Sequence, residues 1–142
     1  VTRSAIPPPH ADLLHLSKIE LHELADGLVL DEDAYLERCV AFVILESQGY
    51  WHGRARAMLC RRLKHCRLGR THQTQLVDCI LGRLVSGGFS EQFKDQLRLA
   101  LHLDPAASLA AARRAVGSPR RHVARYATWV LAHEPDGRTA AG

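Results

Sequence analysis

Between residues 54 and 70 the chain places Arg54, Arg56, Arg61, Arg62, Lys64, Arg67 and Arg70 with no carboxylate among them. A second cluster, Arg113, Arg114, Arg120, Arg121 and Arg125, straddles Gly117. Arginine supplies sixteen of the nineteen Lys and Arg residues, and its planar fork suits two-point contact with carboxylates and phosphates better than a lysine point charge does. The chemistry implied is the non-covalent holding of anions. Tyr50-Trp51-His52 adjoins the first cluster, and cations that follow phosphates beside rings that stack on bases are what nucleic-acid binding requires. The candidate binding residues are Trp51, Arg54, Arg61, Arg62, Lys64, Arg113, Arg114, Arg120, Arg121 and Arg125. An acidic protein partner comes first as their ligand, and DNA or RNA second. Arg54, Arg61, Arg121 and Arg125 are expected on solvated faces. Plainer roles stand beside these: cations at a helix end meet the negative pole of its dipole, and Tyr50 and Trp51 can anchor a turn against the core.

Charge is unevenly divided. Residues 1–50 hold three basic and nine acidic groups, residues 51–142 sixteen and six. The acidic third could therefore fold over the basic face and cancel it, an alternative that sequence leaves open.

Other chemistries find less support. His22 and Asp26 stand four apart, a workable ligand spacing on one helix face, but neither His22-Glu23 nor His133-Glu134 extends to the His-Glu-x-x-His of a zinc protease. On one continuous helix Cys60 and Cys66 would lie about 9 Å apart, beyond the roughly 7 Å reach of a disulfide. Cys39 and Cys79 fall on apolar faces and read as small hydrophobes. Gly87-Gly88 lacks the Lys and Ser/Thr of a phosphate-binding loop, and Ser47 and Ser86 sit in helix exits rather than at a strand-to-helix elbow. No enzyme and no cofactor are expected.

The elements that must position these residues are helical throughout. Segments at about 11–26, 33–47, 52–66, 72–86 and 91–103 repeat apolar residues at helical spacing, followed by one from Pro105 to Gly117 and one after Pro119. Residues 33–47 are apolar in nearly every direction, which places them at the centre of a core. Ser17-x-x-Glu20 has capping-box spacing. Gly27 and Gly87 stand where helices end, Asp31 or Asp33, Thr71 and Ser90 where they begin, and Asp104-Pro105 and Ser118-Pro119 combine a cap with Pro in the first turn. No stretch alternates with period two, so the fold class is all-α: antiparallel helical hairpins, either stacked or gathered into a compact bundle. Residues 1–10, with Pro7-Pro8-Pro9, read as an extended arm, 11–134 as one domain and 135–142 as a polar tail. The longest apolar run, 39–45, is far short of the ~20 residues a bilayer requires, and no secretory signal is visible. Four irregularly spaced cysteines fit reduced thiols in a cytoplasm.

The helices contain an internal repeat. Phe93-Lys94-x-x-Leu97-x-x-Ala100-Leu101 returns as Val123-x-x-x-Ala127-x-x-Val130-Leu131, with a fainter copy at Gly53-Arg54-x-x-Ala57-x-x-Cys60. Each copy lies in the second helix of a pair, over about 33–66, 72–103 and 105–133. This pattern resembles that of HEAT-like repeats across about 33–133; Ala124, where the basic residue belongs and Arg125 is displaced by one, departs from it, as do Gly53 and Arg61. The resemblance implies stacked helical pairs that present a binding surface more often than a catalytic one. His22-Glu23 and His133-Glu134 are similar to the His-Glu pairs of the HEAT-repeat di-iron hydroxylases, which use four such pairs where this chain has two. Three pairs alone would leave both ends of the stack to be covered by the arm or a second chain.

Overall fold

A computed structural model describes residues 11–28, 33–46, 51–89 and 92–135. The N-terminal arm, Asp31, Ser47, Tyr50, Ser90 and the tail beyond Pro135 lie outside these residues, as does the side chain of Asp33.

Among the described residues every regular element is a helix. After a 3-10 turn at Ala11–His15 come α1 (Lys18–Gly27), α2 (Asp33–Ile44), α3 (His52–Leu63), α4 (Arg70–Ser86), α5 (Lys94–Leu103), α6 (Pro105–Ala115) and α7 (Arg121–Leu131). The single helix expected at 11–26 is divided because Ser17 is a true N-cap. Its Oγ accepts from Glu20 N at 3.2 Å, and Glu20 Oε1 accepts from Ser17 N at 3.0 Å. The bond from Ser17 N, and after it the Ser17 hydroxyl, hold the Glu20 carboxyl below its usual range. Gly27 is the last residue of α1 rather than a left-handed cap. It is needed because the Tyr35 ring lies flush on its backbone, and a Cβ there would overlap Cδ1 and Cε1. Gly87 does terminate α4 in the left-handed region, at φ 79°.

Three expected helix starts shift. Gly69, not Thr71, precedes α4, with Gln73 N bonded to Gly69 O at 3.0 Å and Gln73 Nε2 to Leu68 O at 2.7 Å. Ser118 Oγ accepts from Arg120 N at 3.2 Å and shapes a turn, so α7 begins two residues after Pro119. α5 begins at Lys94 with Phe93 at its N-cap. Asp104-Pro105 behaves as expected: Asp104 Oδ1 accepts from Ala107 N at 3.0 Å and Pro105 opens α6.

Consecutive helices α2/α3, α4/α5 and α6/α7 pack as hairpins, and the hairpins stack. α2 lies on α4 and α4 on α6 in one layer; α1 lies on α3, α3 on α5 and α5 on α7 in the other. α1 also touches α2 and so covers one end of the stack. The first helix of each hairpin thus shares a layer with the next first helix, and the second with the next second.

Leu36, Cys39, Val40, Phe42 and Val43 of α2 are all buried, but the helices packed against most others are α5, which meets α3, α4, α6 and α7, and α4, which meets α2, α5, α6 and α7. The inward stripe of α4 is Leu76, Ile80, Arg83 and Leu84, while Val85, expected inside, is 46% exposed. Arg83 is therefore a buried cation. It donates to Glu46 Oε1 (3.2 Å), Gln96 Oε1 (2.8 Å), Ile44 O (2.9 Å) and Leu45 O (3.3 Å), joining the end of α2 to α4 and α5. Aromatic packing joins the last two hairpins: Phe89 stacks on Phe93 at 4.3 Å, with Tyr126 edge-on to both.

The cysteines are all free thiols. α3 ends at Leu63, so Cys66 lies beyond it rather than on one continuous helix with Cys60. Burial pushes the Cys39 and Cys60 thiols up to about 12, and Cys79 upward as well. Neutral buried thiols of this kind are packing groups, not nucleophiles.

Candidate functional site

Three adjoining cavities run across the layer built from α1, α3, α5 and α7. The first, of about 240 Å³, is lined by Lys18, Leu21 and His22 of α1 and by Trp51, Arg54, Met58 and Arg61 at α3. The second, of about 320 Å³, lies between Arg54, Ala57 and Arg61 of α3 and Gln92, Lys94 and Asp95 at α5. The third, of about 270 Å³, is bounded by Lys94 of α5 and by Arg125, Tyr126 and Trp129 of α7. Arg54 and Arg61 border both the first and the second, and Lys94 both the second and the third. The result is one groove crossing four helices.

Helical geometry explains the lining. In α3, Ala55, Leu59 and Leu63 face the core, which turns Arg54 and Arg61 outward. In α5, Leu97 and Ala100 are buried, leaving Lys94 and Arg98 on the open side. In α7, Val123, Ala127 and Val130 are buried, and Arg125 and Trp129 rim the groove.

The electrostatics are lopsided. Lys18, Arg54, Arg61, Lys94, Arg98 and Arg125 are all exposed. Among the described residues the one carboxylate in the groove lining is Asp95, whose side chain is 17% exposed. Its two oxygens meet Arg61 at 2.7 Å and Arg98 at 3.0 Å. Among the described residues Lys18, Arg54, Lys94 and Arg125 meet no carboxylate within ion-pair distance. Of the acidic third, Asp12, Asp26 and Glu46 pair with Arg38, Arg62 and Arg83, none of which lines the groove.

The two tryptophans mark opposite ends. Lys18 Nζ stands 4.2 Å and the Arg54 guanidinium 5.6 Å from the Trp51 ring centre. Lys94 Nζ stands 5.6 Å and the Arg98 guanidinium 5.3 Å from the Trp129 ring. Each ring is flanked by two cations at distances where cation–π attraction is worth about 0.5–1 kcal/mol at an exposed site.

Of the ten residues singled out from sequence, Trp51, Arg54, Arg61 and Arg125 line this groove. The other six do not line it. Arg62 pairs with Asp26 at 3.1 Å, and Lys64 is half-buried at the C-cap of α3. Arg113 pairs with Glu134 at 2.9 Å, and Arg114 shares its place in the last turn of α6, in the other layer. Arg120 Nη1 donates to Ser86 O at 2.7 Å beside the end of α4, and Arg121 is exposed in the first turn of α7. Sequence reading passed over Lys18, Lys94, Asp95, Arg98 and Trp129. Lys94 carried a visible signal, since it occupies the basic position of the repeat that Arg54 occupies one copy earlier.

Of the candidate metal ligands, His22 lines the first cavity and three others have partners within the fold. Asp26 is held by Arg62 and Glu134 by Arg113, while a His133 ring nitrogen lies 2.9 Å from Trp129 O. Among the described residues no three His, Cys, Asp or Glu side chains converge on a point that could hold an ion. No described helix is long and apolar enough to cross a membrane.

The chain matches no protein-family model, no curated protein and no solved structure. Geometry must carry the functional reading.

Proposed function

We propose that this protein binds nucleic acid non-covalently, without catalysing a reaction, along the groove crossed by α1, α3, α5 and α7. The observation that supports it most is a row of cations that meet no carboxylate among the described residues, contributed by four successive helices of one layer and flanked by a tryptophan towards each end. Adjacent packed helices stand 8–10 Å apart, so a row with one such cation per helix extends roughly 27 Å. A phosphate chain offers a regular line of negative charge to match it, and each cation placed on a phosphate releases a condensed counterion.

The reading takes the hairpins as HEAT-like repeats. Its support is the stacking of first helices on first and second on second, and the register that brings Arg54 and Lys94 to the same cavity.

An acidic protein segment is the second reading. Trp, Tyr, Met and Arg are also the side chains that dominate protein–protein hot spots, and all four types line the groove. A displacement titration separates the two. A fluorescently labelled oligonucleotide, bound at low salt, is expected to stay bound against equal charge concentrations of a poly-glutamate peptide and to leave on adding unlabelled oligonucleotide. Displacement by the peptide with equal ease would move the function to an acidic protein partner.

A further inference from the structure

Resting on that reading, we propose that the ligand is a single strand whose bases stack on Trp51 and Trp129, rather than a duplex. Duplex binding uses phosphate contacts and groove edges, because bases in a helix are already stacked on one another. A tryptophan contributes to affinity by stacking only when a base face is free to meet it, as it is in single strands. Here the rings line the end cavities of the groove, one in the first and one in the third. α3 and α7 are two helix spacings apart, about 18 Å, a separation that a short extended strand spans with intervening phosphates over the second cavity.

The cations beside each ring fit the same ligand. Lys18 and Arg54 lie over the Trp51 ring, and Lys94 and Arg98 over the Trp129 ring. A base that stacks on either ring displaces a cation from its face, and the displaced cation meets the phosphates beside that base. Asp95 completes the arrangement. Its carboxylate holds Arg61, which borders the first and second cavities, and Arg98, which lies over the Trp129 ring.

The test uses the protein's own signal, because Trp51 and Trp129 are its two tryptophans. The intact chain is titrated with single-stranded DNA, single-stranded RNA and duplex DNA of matched length, on the order of ten nucleotides, while intrinsic fluorescence and the anisotropy of a labelled strand are both followed. Single strands are expected to quench the tryptophans and to bind at least about tenfold more tightly than duplex; the DNA and RNA arms identify which sugar is preferred. Trp51→Ala and Trp129→Ala are each expected to weaken single-strand binding about tenfold or more. Trp51→Phe and Trp129→Phe, which keep an aromatic face and guard against a folding defect, should recover most of it. Equal binding of duplex and single strands, with affinity unchanged in the alanine variants, would overturn base stacking and leave groove binding of nucleic acid standing. No binding of any strand at low salt would instead remove the nucleic-acid reading itself.

Discussion

Reversing Arg54, Lys94 and Arg125 to glutamate together is expected to weaken oligonucleotide binding by roughly a hundred- to a thousandfold while helix content stays as in the parent and the thermal midpoint falls by only several degrees, as the loss of cation–π contacts dictates. Both halves of that expectation follow from position. The three side chains are exposed, and among the described residues none meets a carboxylate, so the fold loses only their contacts with the Trp51, Trp129 and Tyr126 rings. Each lies on a different helix of the same layer, and Arg54 and Lys94 each border two cavities, so reversal interrupts the groove along its length. Removing a phosphate contact lowers the salt slope by about one, and a glutamate adds repulsion to the loss. Arg61 is left out deliberately. It pairs with Asp95, and a glutamate there would face that carboxylate at close range and confuse a binding defect with a folding one. Anisotropy and circular dichroism on the same sample read the two halves. Unfolding of the triple variant would mean these cations are structural partners; unchanged affinity would mean that the groove is not where the strand lies.

Arg83→Met is expected to do the opposite: to destabilise the fold by about 2–4 kcal/mol without touching the groove. Methionine replaces most of the aliphatic stem, so the loss falls on the guanidinium's hydrogen bonds. Ile44 and Leu45 offer their carbonyls at the C-terminal end of α2, where no further helical turn can satisfy them, and Arg83 Nη2 donates to both. A cation there also meets the negative pole of the α2 dipole. Gln96 is only 6% exposed, and its Oε1 would lose the 2.8 Å bond from Nη1. Glu46 loses less, since its side chain is 79% exposed and water can replace the pair. The nearby Arg56, whose pKa is depressed first by burial and then by Arg83, would be relieved of one repulsive neighbour, which offsets part of the cost. Urea unfolding with a lowered midpoint and an unchanged slope is the expected reading. Arg83→Lys should recover only a part, because an ammonium cannot span four acceptors with a planar fork. An unshifted midpoint in Arg83→Met would show that the bonds exchange freely with water.

The helical class and the hairpin order could be read from the chain because both rest on periodicity. Apolar residues at helical spacing bury themselves wherever they stand, and Leu59, Leu63, Leu97, Val123 and Ala127 point inward as expected. Boundaries were less legible because competing caps are settled by tertiary contacts. Ser17 divides the first segment, and Gly27 is fixed by the Tyr35 ring from the next helix rather than by its own φ. Arg83 occupies a stripe position as surely as Leu76 and Ile80, but its charge argued for the surface. Only the meeting of the α2 terminus, α4 and Gln96 gives a buried guanidinium its partners.

The site was half legible for a similar reason. Arginine density pointed to 54–70 and 113–125, but density along the chain is not density in space. Of seventeen consecutive positions from 54 to 70, helical rotation sends Arg54 and Arg61 to the groove, while Arg62 goes to Asp26 and Arg56 toward Phe42. Lys18, Lys94 and Trp129 stand far apart in sequence and become neighbours of the groove only through the stacking of α1, α3, α5 and α7. The repeat register was the better guide, since it aligns Arg54 with Lys94 and leaves Arg125 one residue out of phase yet still on the third cavity.

The most direct test of groove binding is the affinity of the unmodified protein for a short single strand measured from low to physiological salt. Lys18, Arg54, Lys94 and Arg125 engaging phosphates predict that the logarithm of the association constant falls against log salt with a slope of about −3. A slope near zero, or no binding at the lowest salt, would contradict phosphate recognition by this groove and turn the search to an acidic protein partner.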